Sequence, residues 1–360
     1  MRRELGMLGA LVVMCLALWI SNSDFLGISN VINTTRQISM LGIFAIGIAF
    51  VIITGGIDLS IGSVVGLTGV IIARLTSTAT GGLGYPLWVG ILVALLVAST
   101  VGLIQGLLIT RLRLQPFIVT LGGMLLLRGV SQTVVDGGVI SMGKSSLLDL
   151  ASGGLFHVGS DPLIPYPFLM FLAVAALGTY VLHFTVLGRY IYAIGGSRDA
   201  AEYSGINVKR VETLTYVISA AGAGVAGICY AAYIGQMSQQ VGVAYELYAI
   251  AAAVLGGCSL RGGEGTIFGI VIGTAIMRVI DNGINMFQYK YTDADGIRRI
   301  WRLNPNWNWI IVGAVILAAV ILDQLVHMIQ AARSIREAGA RKASGPPSGG
   351  SPKSVEAPAG

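Results

Sequence analysis

Residues 38–75 read ISMLGIFAIGIAFVIITGGIDLSIGSVVGLTGVIIARL, and this stretch decides the fold class. It contains two apolar runs, 38–54 and 60–75, separated by a short polar segment that includes the glycine pair Gly55-Gly56. Each run approaches the length of about 20 residues that a helix needs to cross a bilayer. The stretch therefore predicts two membrane helices, or a membrane region whose helix is broken at the glycines.

The rest of the chain has the same character. Of its 360 residues, 54% are hydrophobic, 11% are charged and 50 are glycine, whereas a soluble domain has about 25% charged residues. Further apolar runs lie at 5–20, 86–110, 117–135, 166–186, 213–233, 245–258, 265–284 and 307–326. We therefore predict an all-α, polytopic helical membrane protein with about ten transmembrane helices, broken at glycine-rich motifs. The membrane domain would span 1–326, and 327–360 would be a cytoplasmic, largely disordered tail.

Basic residues predict how the chain is oriented. With both termini in the cytoplasm, inner segments hold 14 of the 23 Lys and Arg residues and outer segments hold seven, as the positive-inside rule requires. The run at 5–20 resembles a signal peptide, but it lacks an A-x-A site and we expect it to remain as the first helix. The outer loop 286–306 opposes the charge bias. It is either a contact for a partner or headgroup, or a tolerated insertion.

The sequence contains no recognisable catalytic motif. His157, His183 and His327 are far apart, no G-x-x-x-x-G-K-[ST] loop or G-x-S-x-G motif occurs, and the three cysteines show no metal spacing. The basic residues are scattered rather than gathered in a stripe that nucleic acid would need. We predict no catalytic site, no metal site, no cofactor bound by this chain and no nucleic-acid partner.

Ionisable residues inside apolar runs are functional candidates because a charge is costly in the bilayer. They are Asp58, Arg128, Glu246, Arg278 and Asp281. Alternatively, each closes an internal pair or reaches an interface, and Arg278 and Asp281 stand three residues apart on one helix face. Asp58, directly after a glycine pair, would fix a helix break or line a path.

Two loops predict short helices. In 187–212, Ser197 suits a helix N-cap, Asp199 its first turn and Gly205 its end. Such a helix could dock a cytoplasmic partner or be only a surface helix. A short interfacial helix is expected at Ser145 to Leu150 in the outer loop 136–165.

A second glycine-rich break reads Leu255-Gly256-Gly257-Cys258-Ser259-Leu260-Arg261-Gly262-Gly263. Its Gly-Gly-x-x-Leu pattern repeats that of Gly55 to Leu59 about 200 residues earlier. The repetition is either a trace of an internal repeat or the small-residue packing common in membrane helices.

Three motifs together carry a family resemblance. They are TGGIDLSIG at 54–62, GRYIYAIGG at 188–196 followed by Ser204-Gly205-Ile206, and Tyr245-Glu246-Leu247 followed by GGCSLRGG at 256–263. With these motifs, residues 30–326 resemble the permease subunits of ribose-type ATP-binding cassette importers, which include ribose, xylose, galactofuranose and autoinducer-2 permeases. The signature positions are Gly55, Gly56, Asp58, Ser60, Gly256, Gly257, Ser259, Gly262 and Gly263.

The resemblance implies import of a monosaccharide across the bacterial inner membrane by alternating access. It implies three protein partners: a cytoplasmic ATP-binding subunit that holds ATP and Mg, a periplasmic sugar-binding protein and a second permease subunit. The ATPase-docking loop would be Ser197, Arg198, Asp199, Ala200, Ala201, Glu202, Tyr203, Ser204 and Gly205. Ser197-Arg198-Asp199 stands where the family more often has Asn-Pro-Glu, which leaves the detail of docking open.

A sugar path needs hydrogen-bonding side chains rather than fixed charge. The candidates are Gln37, Thr54, Gln105, Gln132, Asn282 and Asn285, each of which could instead form an interhelical hydrogen bond. Three alternatives remain. A branched-chain amino-acid importer permease would lack the motif at 55–60, an ion-coupled secondary transporter would use Asp58 or Glu246, and a passive channel would need a filter motif.

Overall fold

The computed structural model describes residues 2–79, 81–143, 145–158, 161–292, 298–302, 304, 306–318, 320, 321, 324, 325 and 328. The chain forms two compact units, Met1–Ile316 and Leu317–Gly360. Apart from Met328, the predicted tail at 327–360 lies outside the described residues. Its disorder stays a prediction, and the architecture below is that of the first unit.

Helices dominate the described chain. The α-helices are α1 (Arg2–Ser21), α2 (Ile28–Ile53), α3 (Ile61–Thr76), α4 (Leu87–Arg111), α5 (Pro116–Val135), α6 (Leu147–Ser152), α7 (Tyr166–Thr179), α8 (Val186–Gly196), α9 (Arg198–Tyr203), α10 (Val208–Ile234), α11 (Tyr245–Leu255), α12 (Ile267–Met286) and α13 (Trp307–Ala318). A 3-10 turn, Ser23–Leu26, follows α1, and a π-helical turn, Tyr180–Phe184, continues α7.

The strands are short and form three antiparallel pairs. They are β1 (Val139–Ser141), β2 (Gly154–Val158), β3 (Asp161–Pro165), β4 (Gln236–Ser238), β5 (Gln288–Thr292) and β6 (Arg298–Arg302). β1 pairs with β4, β2 with β3, and β5 with β6. The loop 286–306 therefore contains a hairpin.

Ten apolar helices in the described chain correspond to the ten apolar runs. Seven are long and apolar enough to cross a membrane, and α3, α11 and α13 are shorter. The all-α, multi-pass prediction is confirmed. Some helix bounds predicted from the apolar runs were wrong. Helix α2 begins at Ile28 rather than at residue 38, because polar residues in its first turns, such as Asn30 and Thr34, form hydrogen bonds with other elements.

The loops predicted to share one side of the membrane share one end of the bundle. At the first end, which we call the N end, Glu4 meets Thr266 (2.8 Å) and the backbone N–H of Gly263 donates to Ile53 O (2.8 Å). At the opposite end, the hairpin end, β1 pairs with β4 and Asn22 donates to Met286 O (3.1 Å). The alternation of the helices follows from these contacts.

Helices α3 and α11 both begin inside the bundle. The segment 54–60 turns back from the N end, so that Asp58 meets Ser219, about 16 Å along α10 from its start. The segment 239–244 turns back from the hairpin end and reaches Gly62 and Gly66 in the first two turns of α3. From there α3 runs to the hairpin end, and α11 runs to the N end, where Gly256 packs on Gly269.

This geometry is an inverted repeat. A long helix, a break and a half-helix occur in α2–α3 and again, in the opposite direction, in α10–α11. The two glycine pairs of the sequence do not mark equivalent places in it, because Gly55-Gly56 follows a long helix and Gly256-Gly257 follows a half-helix. The long helices α2 and α10 pack on each other at the centre, and 17 residues of α2 are buried.

Candidate docking and translocation sites

The predicted helix of the loop 187–212 is present as α9, at the N end. The Ser197 hydroxyl accepts from the backbone N–H of Ala200 (3.3 Å) as its N-cap. Gly205 has φ +82°, and the next N–H, of Ile206, donates back to Ala201 O (3.1 Å). Capping at both ends allows six residues to form a helix. The docking role of this helix stays a prediction.

One face of α9 is anchored and the other is free. Ala201 is 4% exposed and belongs to the main hydrophobic core, whereas Tyr203 is 91% exposed. Arg198 forms an ion pair with Glu212 of α10, with Nε 2.9 Å from Oε1, and hydrogen bonding to this carboxylate raises the pKa of the Arg198 guanidinium. Because Arg198 is half exposed, this pair orients α9 more than it stabilises it. The sequence had not identified Glu212, since the pair joins separate helices.

The three sequence motifs meet in one contact, which we call the glycine junction: Gly55, Gly195, Gly262 and Gly263. A Cβ on Gly195 would collide with Ile53 O and with the backbone of Gly263, and Gly262 packs on the backbones of Gly55 and Gly195. Gly55, Gly262 and Gly263 have positive φ, which glycine adopts without strain. The ends of α2 and α8 and the turn before α12 therefore touch through backbone atoms.

A cavity of about 500 Å³ opens between α9 and the loop 112–115. Its lining includes the buried Tyr216, the half-buried Thr54 and Glu212, and the exposed Arg113 and Glu202. Arg113 has φ +56°, an uncommon conformation for a side-chain-bearing residue. Docking on α9 would therefore also involve this loop.

A buried hydrogen-bond network holds the break before α3. Asp58 is 1% exposed, and its Oδ1 accepts from the Ser60 hydroxyl (2.7 Å) and the Ser60 backbone N–H (3.0 Å). Its Oδ2 accepts from Ser219 (2.9 Å), and the Ser60 hydroxyl lies 3.0 Å from Gln105 Oε1. Asp58 thus fixes the helix break, one of the two roles expected from its sequence context.

The second glycine-rich break has its own backbone turn. Gly257 has φ +91°, Gly256 packs on Gly269, and the Ser259 hydroxyl accepts from the backbone N–H of Arg261 (3.3 Å). Gly56 similarly packs against the Tyr216 hydroxyl. The signature residues therefore shape backbone turns, and their role in transport stays a prediction.

The six path candidates are not gathered in one cavity. Asn282 Nδ2 donates to Asn30 Oδ1 (2.9 Å), Asn285 Nδ2 donates to Asp281 O (2.9 Å) and Gln105 joins the Asp58 network. Gln37 is half-buried on α2, Thr54 lines the cavity at the N end and Gln132 is exposed on α5. A path role for any of the six stays a prediction.

The charged residues of α12, Arg278 and Asp281, form an ion pair with each other, as their spacing predicted. Arg278 Nη1 lies 3.0 Å from Asp281 Oδ2, and Nη2 donates to the Tyr230 hydroxyl (2.9 Å). Asn308 of α13 donates to the other Asp281 oxygen, and Tyr248 presents its ring to the guanidinium at 5.6 Å. The cluster ties α10, α11, α12 and α13 together. No group of three metal-ligating side chains occurs among the described residues.

Comparison with known proteins places the chain among transport proteins. Residues 30–320 match the family described as the permease component of the branched-chain amino acid transport system. The ribose import permease protein of Haemophilus influenzae is 36% identical over 315 residues, 87% of this chain and 91% of that protein.

Two further relatives have different sugars in their names. The D-allose transport system permease protein of Escherichia coli is 33% identical over 85% of this chain and 87% of its own length. The galactose/methyl galactoside import permease protein of Salmonella typhimurium is 34% identical over 90% and 95% respectively. No solved structure matches the chain.

Proposed function

Since this chain belongs to the ribose-type permease family of ATP-binding cassette importers, we propose that it moves a monosaccharide across the bacterial inner membrane. As a multi-pass permease it is a transport protein rather than an enzyme. Sugars appear in the names of all three relatives described above, and a sugar is uncharged. Asp58 is hydrogen-bonded to Ser60 and Ser219, and Arg278 is ion-paired with Asp281, so these ionisable side chains have protein partners, which suits an uncharged solute.

The glycine junction is the observation that best supports transport driven by an ATP-binding subunit. The helix α9 follows α8 directly, and Gly195 at the end of α8 touches the backbones of Ile53 and Gly263. A push on α9 therefore reaches the end of α2 and the turn between α11 and α12 without passing through flexible side chains. In our proposal, a cytoplasmic ATP-binding subunit docks on α9, and its ATP-driven closure rearranges these helices. That subunit holds ATP and Mg, and this chain binds no cofactor.

The exposed side of α5 is our choice for the contact with a second permease subunit. Gly122 and Gly129, one heptad apart, have no atom near their Cβ positions, and Gln132 is exposed on the same helix. Small residues allow helices to approach closely in a bilayer, and an exposed glutamine is unfavourable against lipid. The sugar would pass between the two subunits, beside Gln132.

In the proposed orientation the N end faces the cytoplasm and the hairpin end faces the periplasm. Both chain termini are then cytoplasmic, and the 14-to-seven excess of basic residues lies inside. A periplasmic sugar-binding protein would deliver the sugar to the hairpin end, where the three strand pairs lie.

Uptake measurements test the function. Cells that lack their own sugar permeases would express this chain with its ATPase and binding-protein partners and receive labelled D-ribose, D-allose, D-galactose or L-leucine. We expect uptake of at least one sugar, none of leucine, and loss of uptake when the ATPase is inactivated. Leucine uptake would favour a branched-chain amino-acid permease. Sugar uptake that survives loss of the ATPase but not a protonophore would favour an ion-coupled transporter.

A further inference from the structure

A buried carboxylate lies where the two half-helices begin. Glu246, in the first turn of α11, is 7% exposed, and its Oε2 is buried without a hydrogen-bond partner. The carboxylate packs against Gly62 of α3 and lies beside the carbonyl of Gly242. Its own backbone N–H hydrogen-bonds to the side chain. Neither the Asp58 network nor the Arg278 cluster includes this residue.

An arginine from α5 reaches the same place. Arg128 Nη2 donates to Gly242 O at 3.3 Å and to the Ser63 hydroxyl at 3.4 Å. Both distances are longer than typical N–H···O bonds, and both acceptors are neutral. The arginine charge acts on the Glu246 carboxylate, yet the two side chains do not form an ion pair.

The absence of an ion pair between Arg128 and Glu246 is energetically unfavourable at this site. A carboxylate oxygen buried in a membrane protein without a donor keeps its full desolvation penalty. An arginine and a carboxylate form the strongest hydrogen bonds available to protein side chains. A small movement could replace the two long hydrogen bonds of Arg128 by an ion pair with Glu246. This exchange would lower the free energy of the site.

The neighbouring helices permit such a movement. α5 packs mainly on α3 and has a largely exposed opposite face, whereas α11 packs on α12 and α2. Arg128 and Glu246 thus belong to different packing groups that meet at Gly62 and Gly242. A shift of α5 against α11 changes their separation more than it changes contacts within either group.

We propose that Arg128 and Glu246 form a switchable ion pair, open in this structure and closed in another state of the transport cycle. The pair would hold α5 to α11 in that state. This rests on the proposed function only in assuming that the cycle has two access states. Both are positioning residues, because they contact helices rather than the transported solute.

Transport by neutral variants provides the first test. We expect Glu246→Gln and Arg128→Gln each to lower uptake about tenfold, within the range of coupling between sites in proteins. The double variant should recover part of this loss, because a single variant leaves one charge unpaired. Asp149→Asn, an exposed carboxylate on α6, is the matched control. Normal uptake by Glu246→Gln would show that a neutral side chain suffices and would overturn the pair, as would losses that simply add.

Cross-linking provides a second test that needs no sugar. Arg128→Cys and Glu246→Cys, combined in a chain without native cysteines, would be treated with a short bifunctional thiol reagent in membrane vesicles that carry the ATPase. The yield would be compared without nucleotide and after trapping with ATP, Mg and vanadate. We expect about a fivefold difference or more between the states, and equal yields would refute the switch. Absence of sugar uptake by the wild-type protein would instead refute the proposed function.

Discussion

The change Gly205→Val tests whether α9 couples this chain to an ATPase. Gly205 has φ +82°, and apart from its chain neighbours no atom lies within 4 Å of its Cβ position, so an added Cβ meets no steric obstacle. Any effect must therefore come from the backbone. A side-chain-bearing residue in the left-handed conformation costs about 1–2 kcal/mol, and a β-branched residue is among the least tolerant. Gly205→Asn is the matched control, because asparagine tolerates this conformation.

The free-energy cost of Gly205→Val should destabilise α9 alone rather than the whole helix bundle. α9 has six residues and depends on its caps, since a helix this short is unstable alone. An added 1–2 kcal/mol lowers the population of the capped helix by about five- to thirtyfold. Apart from its chain neighbours, no atom lies within 4 Å of the Cβ position of Gly205, so we expect normal membrane insertion and an unchanged melting temperature.

The assay combines sugar uptake with ATP hydrolysis stimulated by the binding protein, in reconstituted vesicles. Gly205→Val should lower both about tenfold, and Gly205→Asn should retain most of the wild-type rates. Normal transport by Gly205→Val would refute the docking role of α9, and the loop 112–115 beside the N-end cavity would be the next segment to test. Equal losses in both variants would show that the left-handed backbone is not the cause.

Three further predictions concern orientation and packing. In a chain without native cysteines, Gly196→Cys should resist a membrane-impermeant thiol reagent in intact cells while Ser152→Cys reacts, and the reverse pattern would invert the proposed orientation. Gly195→Ala should lower thermal stability by about 1–3 kcal/mol because its methyl group meets backbone, whereas Gly196→Ala has open space and should melt like the wild type. Asp58→Ala should destabilise by about 1–3 kcal/mol because Ser60 and Ser219 lose their acceptor. Asp58→Asn keeps an acceptor and should cost less, and equal melting temperatures would contradict this account of the break.

The helices and their caps could be predicted from the sequence, because they depend on residues that are close in the chain. Apolar runs located ten helices, and Ser197 and Gly205 located both ends of α9, because capping needs only residues close in the chain. The pair of Arg278 with Asp281 followed from helical spacing. The interfacial helix expected at Ser145 to Leu150 is present two residues later, as α6, an error typical of helix bounds.

Contacts between segments that are distant in the chain could not be predicted from local composition. The return of 239–244 into the bundle was missed because its residues resemble an ordinary loop, although Gly242 and the shortness of the following run were possible signals. The glycine junction joins segments as far apart as Gly55 and Gly263, and periodicity does not show which glycines meet. The proximity of Arg128 and Glu246 likewise depends on how two breaks fit together.

The glycine junction also bears on how such a transporter can diversify. Its contacts are made by the main-chain atoms of glycines and of Ile53, so they do not depend on the identity of any side chain outside the junction. Side chains elsewhere can therefore change, and with them the solute that is accepted, while the backbone contact between the ends of α2 and α8 and the turn before α12 stays intact. If the ATPase acts on α9, as we propose, substrate choice and energy coupling depend on different residues, so selection can change the transported solute without changing the coupling contact.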